Sequence, residues 1–248
     1  KGELGELANA FNAMAEGLTR LEQLRQNMVT DVAHELRTPL SNVRGYLEAL
    51  GDGVVKPTPE MIASLYEEAM LLNRLVDDLQ ELAMAEAGQL KLVCQPVDIC
   101  EVIDKAVLSL KSEAIEKEVD LGTDLQDDLP LVVADPERLG QVLRNLVNNA
   151  IISTPPGGEI TIQARTIDSQ VEVSVQDNGT GISAEHLPYV FERFYRADQS
   201  RARSTGGAGL GLAIVKQLVE AQGGQVAIDS QVNAGTRVSF TSPIAEVQ

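Results

Sequence analysis

The sequence predicts an α+β chain, a helical hairpin followed by a layered α/β domain. Three observations predict it. Apolar residues recur at helical spacing from the start to about residue 90. The pattern changes at Gly88 into short segments, some alternating in period two. Helix and hairpin signals then interleave to the end of the chain, as they do when helices cover one face of a mixed sheet.

In the first part, Leu4, Leu7, Phe11, Met14 and Leu18 recur at three- and four-residue spacing, and Leu21, Leu24, Met28, Val32 and Leu36 continue the stripe. So long a stripe suits a coiled coil or bundle better than a lone surface helix. Gly51, Asp52 and Gly53, then Pro57 and Pro59, interrupt it. A second helix is expected from Pro59 to Ala87, with Ile62, Leu65, Ala69, Leu72, Leu75, Val76, Leu79 and Leu82 on one side. Two antiparallel helices cannot bury both stripes, whereas two copies pairing into a four-helix bundle can. A hairpin packed on the chain's own second domain is the alternative.

Beyond Gly88 the spacing predicts strands over 90–98, 119–125 and 131–134, with a helix over 99–117 between the first two. Asp135-Pro136 opens another helix, Asp as N-cap and Pro in the first turn. Pro155-Pro156-Gly157-Gly158 is a turn, and 160–166 and 171–176 alternate as half-buried strands do. A helix over 210–221 and strands over 225–229 and 236–241 complete the domain.

Composition narrows the function. The 248 residues are 44% apolar but only 3% aromatic, with no Trp, so the cores rest on Leu, Val, Ile and Ala. A formal charge of -17 repels phosphate backbones and argues against a nucleic-acid partner. Cys94 and Cys100 have no nearby His and read as reduced thiols in a cytosolic setting. No apolar run is long enough to span a bilayer. The chain opens at Lys1 inside a helical pattern, so a membrane anchor is expected only in a region upstream of this sequence.

Four segments carry chemistry. His34 lies in His34-Glu35-Leu36-Arg37-Thr38-Pro39-Leu40, late in the first helix. A neutral imidazole is a competent nucleophile near neutral pH. Thr38 shares its helix face, and Pro39 is expected to bend the helix just beyond it. In Asn145-Leu146-Val147-Asn148-Asn149-Ala150, Asn145 and Asn149 share a helix face, and amide oxygens can hold Mg²⁺ while phosphates fill its other positions. Asp177-Asn178-Gly179-Thr180-Gly181 follows a strand, and Gly207-Ala208-Gly209-Leu210-Gly211-Leu212 enters a helix. Glycines let backbone N–H groups approach phosphates, and a helix N-terminus favours anions. The second glycine run does not follow the first strand of a βαβ unit, so a dinucleotide fold is set aside.

The order of these segments resembles the bacterial sensor histidine kinase family. It has an H box at His34, an N box around Asn149, a G1 box at Asp177 to Gly181, an F box at Phe191-Glu192-Arg193-Phe194, and a G2 box at Gly207 to Gly211. The segment from Gly5 to Met14 also resembles the last helix of a HAMP signal-relay module. The resemblance implies three parts: residues 1–19 as the end of a HAMP signalling helix, 20–88 as a dimerisation and histidine phosphotransfer domain, and 89–248 as a GHKL (Bergerat-fold) ATP-binding domain. It implies a homodimer that uses ATP and Mg²⁺ to phosphorylate His34 and passes the phosphoryl group to a response-regulator receiver domain. The whole would be the cytoplasmic portion of an inner-membrane-anchored protein.

By the same resemblance, Glu35 orients or deprotonates the imidazole, and Thr38 positions water during regulator dephosphorylation. Asn149 coordinates Mg²⁺ with Asn145 nearby, and Asp177 accepts the adenine amino group. Gly179, Gly181, Gly207, Gly209, Gly211 and Leu212 shape the pocket. Phe191 and Phe194 anchor a lid over 183–206. Asn145 stands where hydrolytic members of the wider ATPase group carry a water-activating glutamate, which favours transfer over hydrolysis. Ile152 and Ser153 occupy positions where the family often has a basic residue and an aromatic or histidine. Two alternatives stay open at this stage: a weak kinase acting mainly as a phosphatase or ATP-dependent switch, and a non-catalytic dimeric scaffold.

Overall fold

A computed structural model describes residues 3–197 and 208–245, with the backbone alone for most of residues 3–28. The chain divides into two compact units between Val76 and Asp77.

The first unit is the hairpin. Helix α1 spans Glu3–Gly51 and α2 begins at Pro59 and runs to Glu86. Helix α1 ends in hydrogen bonds from Asp52 N–H to Glu48 O (2.9 Å) and Val54 N–H to Ala49 O (3.0 Å), with Gly53 left-handed at φ 68°. That conformation is easiest without a Cβ. Thr58 caps the start of α2 by accepting the Met61 N–H at 3.3 Å. Asn42 Nδ2 donates to Glu68 Oε1 at 2.7 Å, tying the two helices. Helix α1 runs unbroken through Pro39, whose ring nitrogen has no hydrogen to give the Glu35 carbonyl.

The second unit begins inside α2. It contains β1 (Gln95–Val97), α3 (Ile99–Glu116), β2 (Asp120–Leu125), β3 (Val132–Ala134), α4 (Pro136–Ser153), β4 (Glu159–Ile167), β5 (Gln170–Asp177), α5 (Gly211–Ala221), β6 (Val226–Gln231) and β7 (Gly235–Pro243). Five strands form one mixed sheet in the order β2-β4-β5-β7-β6, parallel only between β2 and β4. Strands β1 and β3 form a separate antiparallel pair.

Cross-strand register puts Ile162, Val175 and Val238 in one row, and Ala164, Val173 and Phe240 in the next. Directly paired residues point to the same face. Those side chains are buried, as are Val142, Leu143, Leu146 and Val147 of α4 and Ile214, Val215 and Leu218 of α5. Each such Val, Leu, Ile or Phe side chain contributes about 1.5–3 kcal/mol on full burial. Helices α3, α4 and α5 therefore cover one face of the sheet, as the period-two segments predict.

The expected strand over 90–98 is shorter. Only Gln95–Val97 pairs, because the Val93 N–H is taken at 2.9 Å by the Asp135 carboxylate. Asp135 is buried and also caps α4, accepting the N–H groups of Glu137 (3.0 Å) and Arg138 (3.3 Å). Its own N–H donates to Gln222 Oε1, just past α5, at 2.8 Å.

Candidate functional site

Strand β5 ends on Asp177. Its register row reads Ile160, Asp177, Thr236, Ser230 across β4, β5, β7 and β6. Ile160 is fully buried, so Asp177 points to the helix-covered face, and it is only 6% exposed. Its Oδ1 accepts the Gly179 N–H at 2.8 Å and the Thr236 N–H at 3.3 Å. Burial pushes the carboxyl above its ordinary value, and the two backbone N–H groups work in the opposite direction.

The turn after β5 is folded tightly onto its neighbours. A Cβ on Gly179 would lie 2.4 Å from the Ser153 carbonyl oxygen, and the Thr180 N–H donates to that oxygen at 3.3 Å. Gly181 has φ 65°, and a Cβ there would meet Gln231 O at 1.9 Å. Ile182 N–H donates to Ser230 Oγ at 2.8 Å, and Ser230 Oγ lies 2.9 Å from Thr236 Oγ1.

Helix α4 presents Asn145 and Asn149 one turn apart, both half-buried. The first residue of α5 faces them: a Cβ on Gly211 would lie 3.7 Å from Asn149 Nδ2 and 4.0 Å from Asn145 Cγ. Neither amide has a hydrogen-bond partner among the described residues. Leu210, at the N-cap of α5, offers no side-chain acceptor, so among the described residues no N-cap side chain takes the first N–H groups of that helix, which suit an anion. Asn148 Oδ1 is buried with no partner among the described residues.

The stem of the segment between the F and G2 boxes is also defined. Phe194, left-handed at φ 58°, donates its N–H to Gly209 O at 3.0 Å. A Cβ on Gly209 would lie 2.9 Å from the Phe194 backbone. Phe191 and Leu212 are half-buried. His186 Nδ1 sits 2.6 Å from the Tyr195 hydroxyl, and the Tyr189 and Tyr195 rings pack 5.5 Å apart. Gly207 and part of the expected lid lie outside the described residues.

The predicted residues come from separate stretches of chain: Gly211 faces Asn145 and Asn149 of α4, the turn from Asp177 through Gly179 packs on Ser153 at the end of the same helix, Gly181 packs on Gln231, and Gly209 packs on Phe194. His34, Glu35 and Thr38 lie in the other unit, on α1, where His34 and Thr38 are exposed and Glu35 is half-buried. Sequence reasoning missed Thr236 and Ser230, which complete the row beside Asp177 but resemble any polar strand residue. It missed Lys117, which is bonded to the end of α4 from 34 and 35 residues away. No helix among the described residues is long and apolar enough to cross a membrane.

A mixed sheet under three helices, with a buried carboxylate at one strand end and paired asparagines against a glycine-started helix, defines a nucleotide-binding ATPase domain. Residues 134–246 match the family model for histidine kinase-, DNA gyrase B- and HSP90-like ATPases, and residues 24–88 match that for the His Kinase A (phospho-acceptor) domain. The chain belongs to the bacterial sensor histidine kinase family. It is 39% identical over 242 residues to the signal transduction histidine-protein kinase BaeS of Escherichia coli (strain K12), a match covering 98% of this chain and 52% of that protein. The chain therefore spans about half that relative's length. The solved structure of the Acinetobacter baumannii histidine kinase AdeS superposes with a TM-score of 0.74 at 27% identity, covering 86% of this chain and 98% of that one. Full-length ShkA in complex with AMPPNP gives a TM-score of 0.67 at 32% identity, covering 91% of this chain and 46% of that one.

Proposed function

We propose that this chain binds ATP in the α4–β5–α5 pocket and phosphorylates itself on His34, then passes the phosphoryl group to an aspartate of a response-regulator receiver domain. The observation that carries the reading is Asp177, buried and held by two backbone N–H groups at the start of a turn that packs on the end of α4, the helix that bears Asn145 and Asn149. A carboxylate so held has an acceptor to offer the adenine amino group. The ShkA complex with the ATP analogue AMPPNP supports ATP as the ligand.

In the reaction, an imidazole nitrogen of His34 forms a bond to the γ-phosphorus as the bridging P–O bond breaks and ADP leaves. Glu35, the next residue, orients the ring or takes its proton. Thr38 positions water when the regulator is dephosphorylated. The N–H groups at the start of α5, uncapped by the Leu210 side chain, suit the phosphates. Gly179, Gly181, Gly207, Gly209, Gly211 and Leu212 shape the pocket, and Phe191 and Phe194 hold the segment that covers it. The amides of Asn149 and Asn145, which have no partner among the described residues, fit Mg²⁺, which neutralises phosphate charge when bound.

Residues 20–88 serve dimerisation and phosphotransfer, 89–248 serve catalysis, and 1–19 end a HAMP signalling helix. Exposed Leu40, Leu47, Ile62, Tyr66 and Met70 along both helices of the hairpin support pairing with a second copy. Membrane attachment is assigned to a region upstream of this chain.

Incubation with γ-labelled ATP and Mg²⁺ tests the reading. Acid-labile, base-stable label is expected on the chain and absent from His34→Gln, with ATP binding unchanged. Label persisting in that variant overturns the assignment.

A further inference from the structure

Helix α4 ends with four carbonyls beyond the reach of its own N–H groups, those of Ala150, Ile151, Ile152 and Ser153. All four have partners. Thr154 gives Ala150 both its N–H (3.0 Å) and its hydroxyl (2.7 Å). The Thr180 N–H, in the turn that follows Asp177, donates to Ser153. The two carbonyls between them are taken by one side chain. Lys117 Nζ donates to Ile152 O at 2.6 Å and also to Ile151 O.

Lys117 is half-buried at the C-cap of α3. Helix α4 has no basic residue in its own last turn. The ammonium therefore also opposes the negative pole of that helix from outside it. The contact leads into the pocket. Ser153 O is in hard contact with the space a Gly179 Cβ would occupy, and the Gly179 N–H is the shorter of the two bonds to Asp177 Oδ1. A last turn that shifts to find new partners for Ile151 and Ile152 moves Ser153 O. It then either presses on Gly179 or releases Thr180.

We propose that Lys117 is a positioning residue for nucleotide binding: by holding the last turn of α4 it fixes the turn that aims Asp177. The inference rests on the reading of this pocket as the ATP site. Lys117 acts through Ser153 and Gly179 and needs no contact with the nucleotide. Its loss is expected to act on affinity, leaving the transfer step itself intact once nucleotide is bound.

The test uses the full chain with Lys117→Met, Lys117→Gln and Lys117→Arg. Calorimetric titration with ADP and Mg²⁺ should show about tenfold weaker binding for K117M, the size expected when buried acceptors lose a charged donor. K117Q, which keeps an amide donor, should lose about threefold, and K117R should recover most of the affinity. Labelling against ATP concentration should show a raised KM with the maximal rate within about twofold of the parent. If K117M does not fold, K117Q decides. Parent affinity for ADP in whichever of the two folds, even with a lowered melting temperature, overturns the proposal and leaves Lys117 a structural cap. A parent chain that binds ADP but never labels His34 defeats the kinase reading alone, and the calorimetry still decides Lys117.

Discussion

Asp177→Asn separates what the carboxylate does for the nucleotide from what it does for the fold. The substitution keeps Oδ1 as an acceptor for Gly179 at 2.8 Å and Thr236 at 3.3 Å, so the turn and the sheet end should persist. The other oxygen becomes an NH₂ group, which in the proposed site would meet the adenine amino group donor to donor. Losing a charge-assisted hydrogen bond costs about 1.5–3 kcal/mol, or about 10- to 150-fold in affinity. ADP titration of the folded variant measures this. Stability should respond in the opposite sense. Burial raises the Asp177 carboxyl above its unfolded value, so its stabilising contribution is complete below that value and is lost as pH rises through the folded one. Asn does not ionise. The parent should therefore lose melting temperature relative to D177N as pH rises above the ordinary carboxyl range. Parent-like ADP affinity in folded D177N would refute the adenine assignment. Parallel pH profiles would refute the burial argument.

Two further outcomes are expected. Glu81, in the part of α2 that belongs to the second unit, pairs with Arg138 and accepts from Gln141 Nε2 at 2.5 Å. Because Glu81 is buried and Arg138 partly exposed, Glu81→Ala should lower stability by about 2 kcal/mol, read from urea unfolding, and an unchanged midpoint would show the pair to be idle. Ile152→Lys with Ser153→Tyr should raise ATP affinity or labelling rate by about tenfold. A folded double variant that gains in neither shows that the pocket already compensates for those side chains.

Most of the fold was legible because its signals are local. Asp135-Pro136 announces α4 by capping chemistry, and the alternation of β4 and β5 is visible without knowledge of their neighbours. The candidate site was read from the same kind of local signal: its boxes are short, and their order is specific even where each is weak. What escaped is non-local. Nothing near residue 93 in sequence says that its N–H goes to Asp135, which is why the strand there shrinks to three residues. Nothing near Thr236 says that its backbone N–H completes the cradle of Asp177, since register across the sheet decides it.

The same distinction explains why α4 can hold its asparagines in place. Its own sequence supplies the polar face, but the side chains that fix its two ends come from outside the helix. Asp135 caps the start and binds both the segment before β1 and the residue after α5. Arg138 and Gln141 in its first turns hold Glu81 of α2. Lys117 and Thr180 take the carbonyls at its end. Asn145 and Asn149 lie between the Glu81 contact and the Lys117 contact, so the stretch that carries them is tied down on both sides. The departure at Ile152 and Ser153 leaves this arrangement intact, because the contacts at the end of α4 are made by backbone carbonyls, which any side chain at those positions would provide.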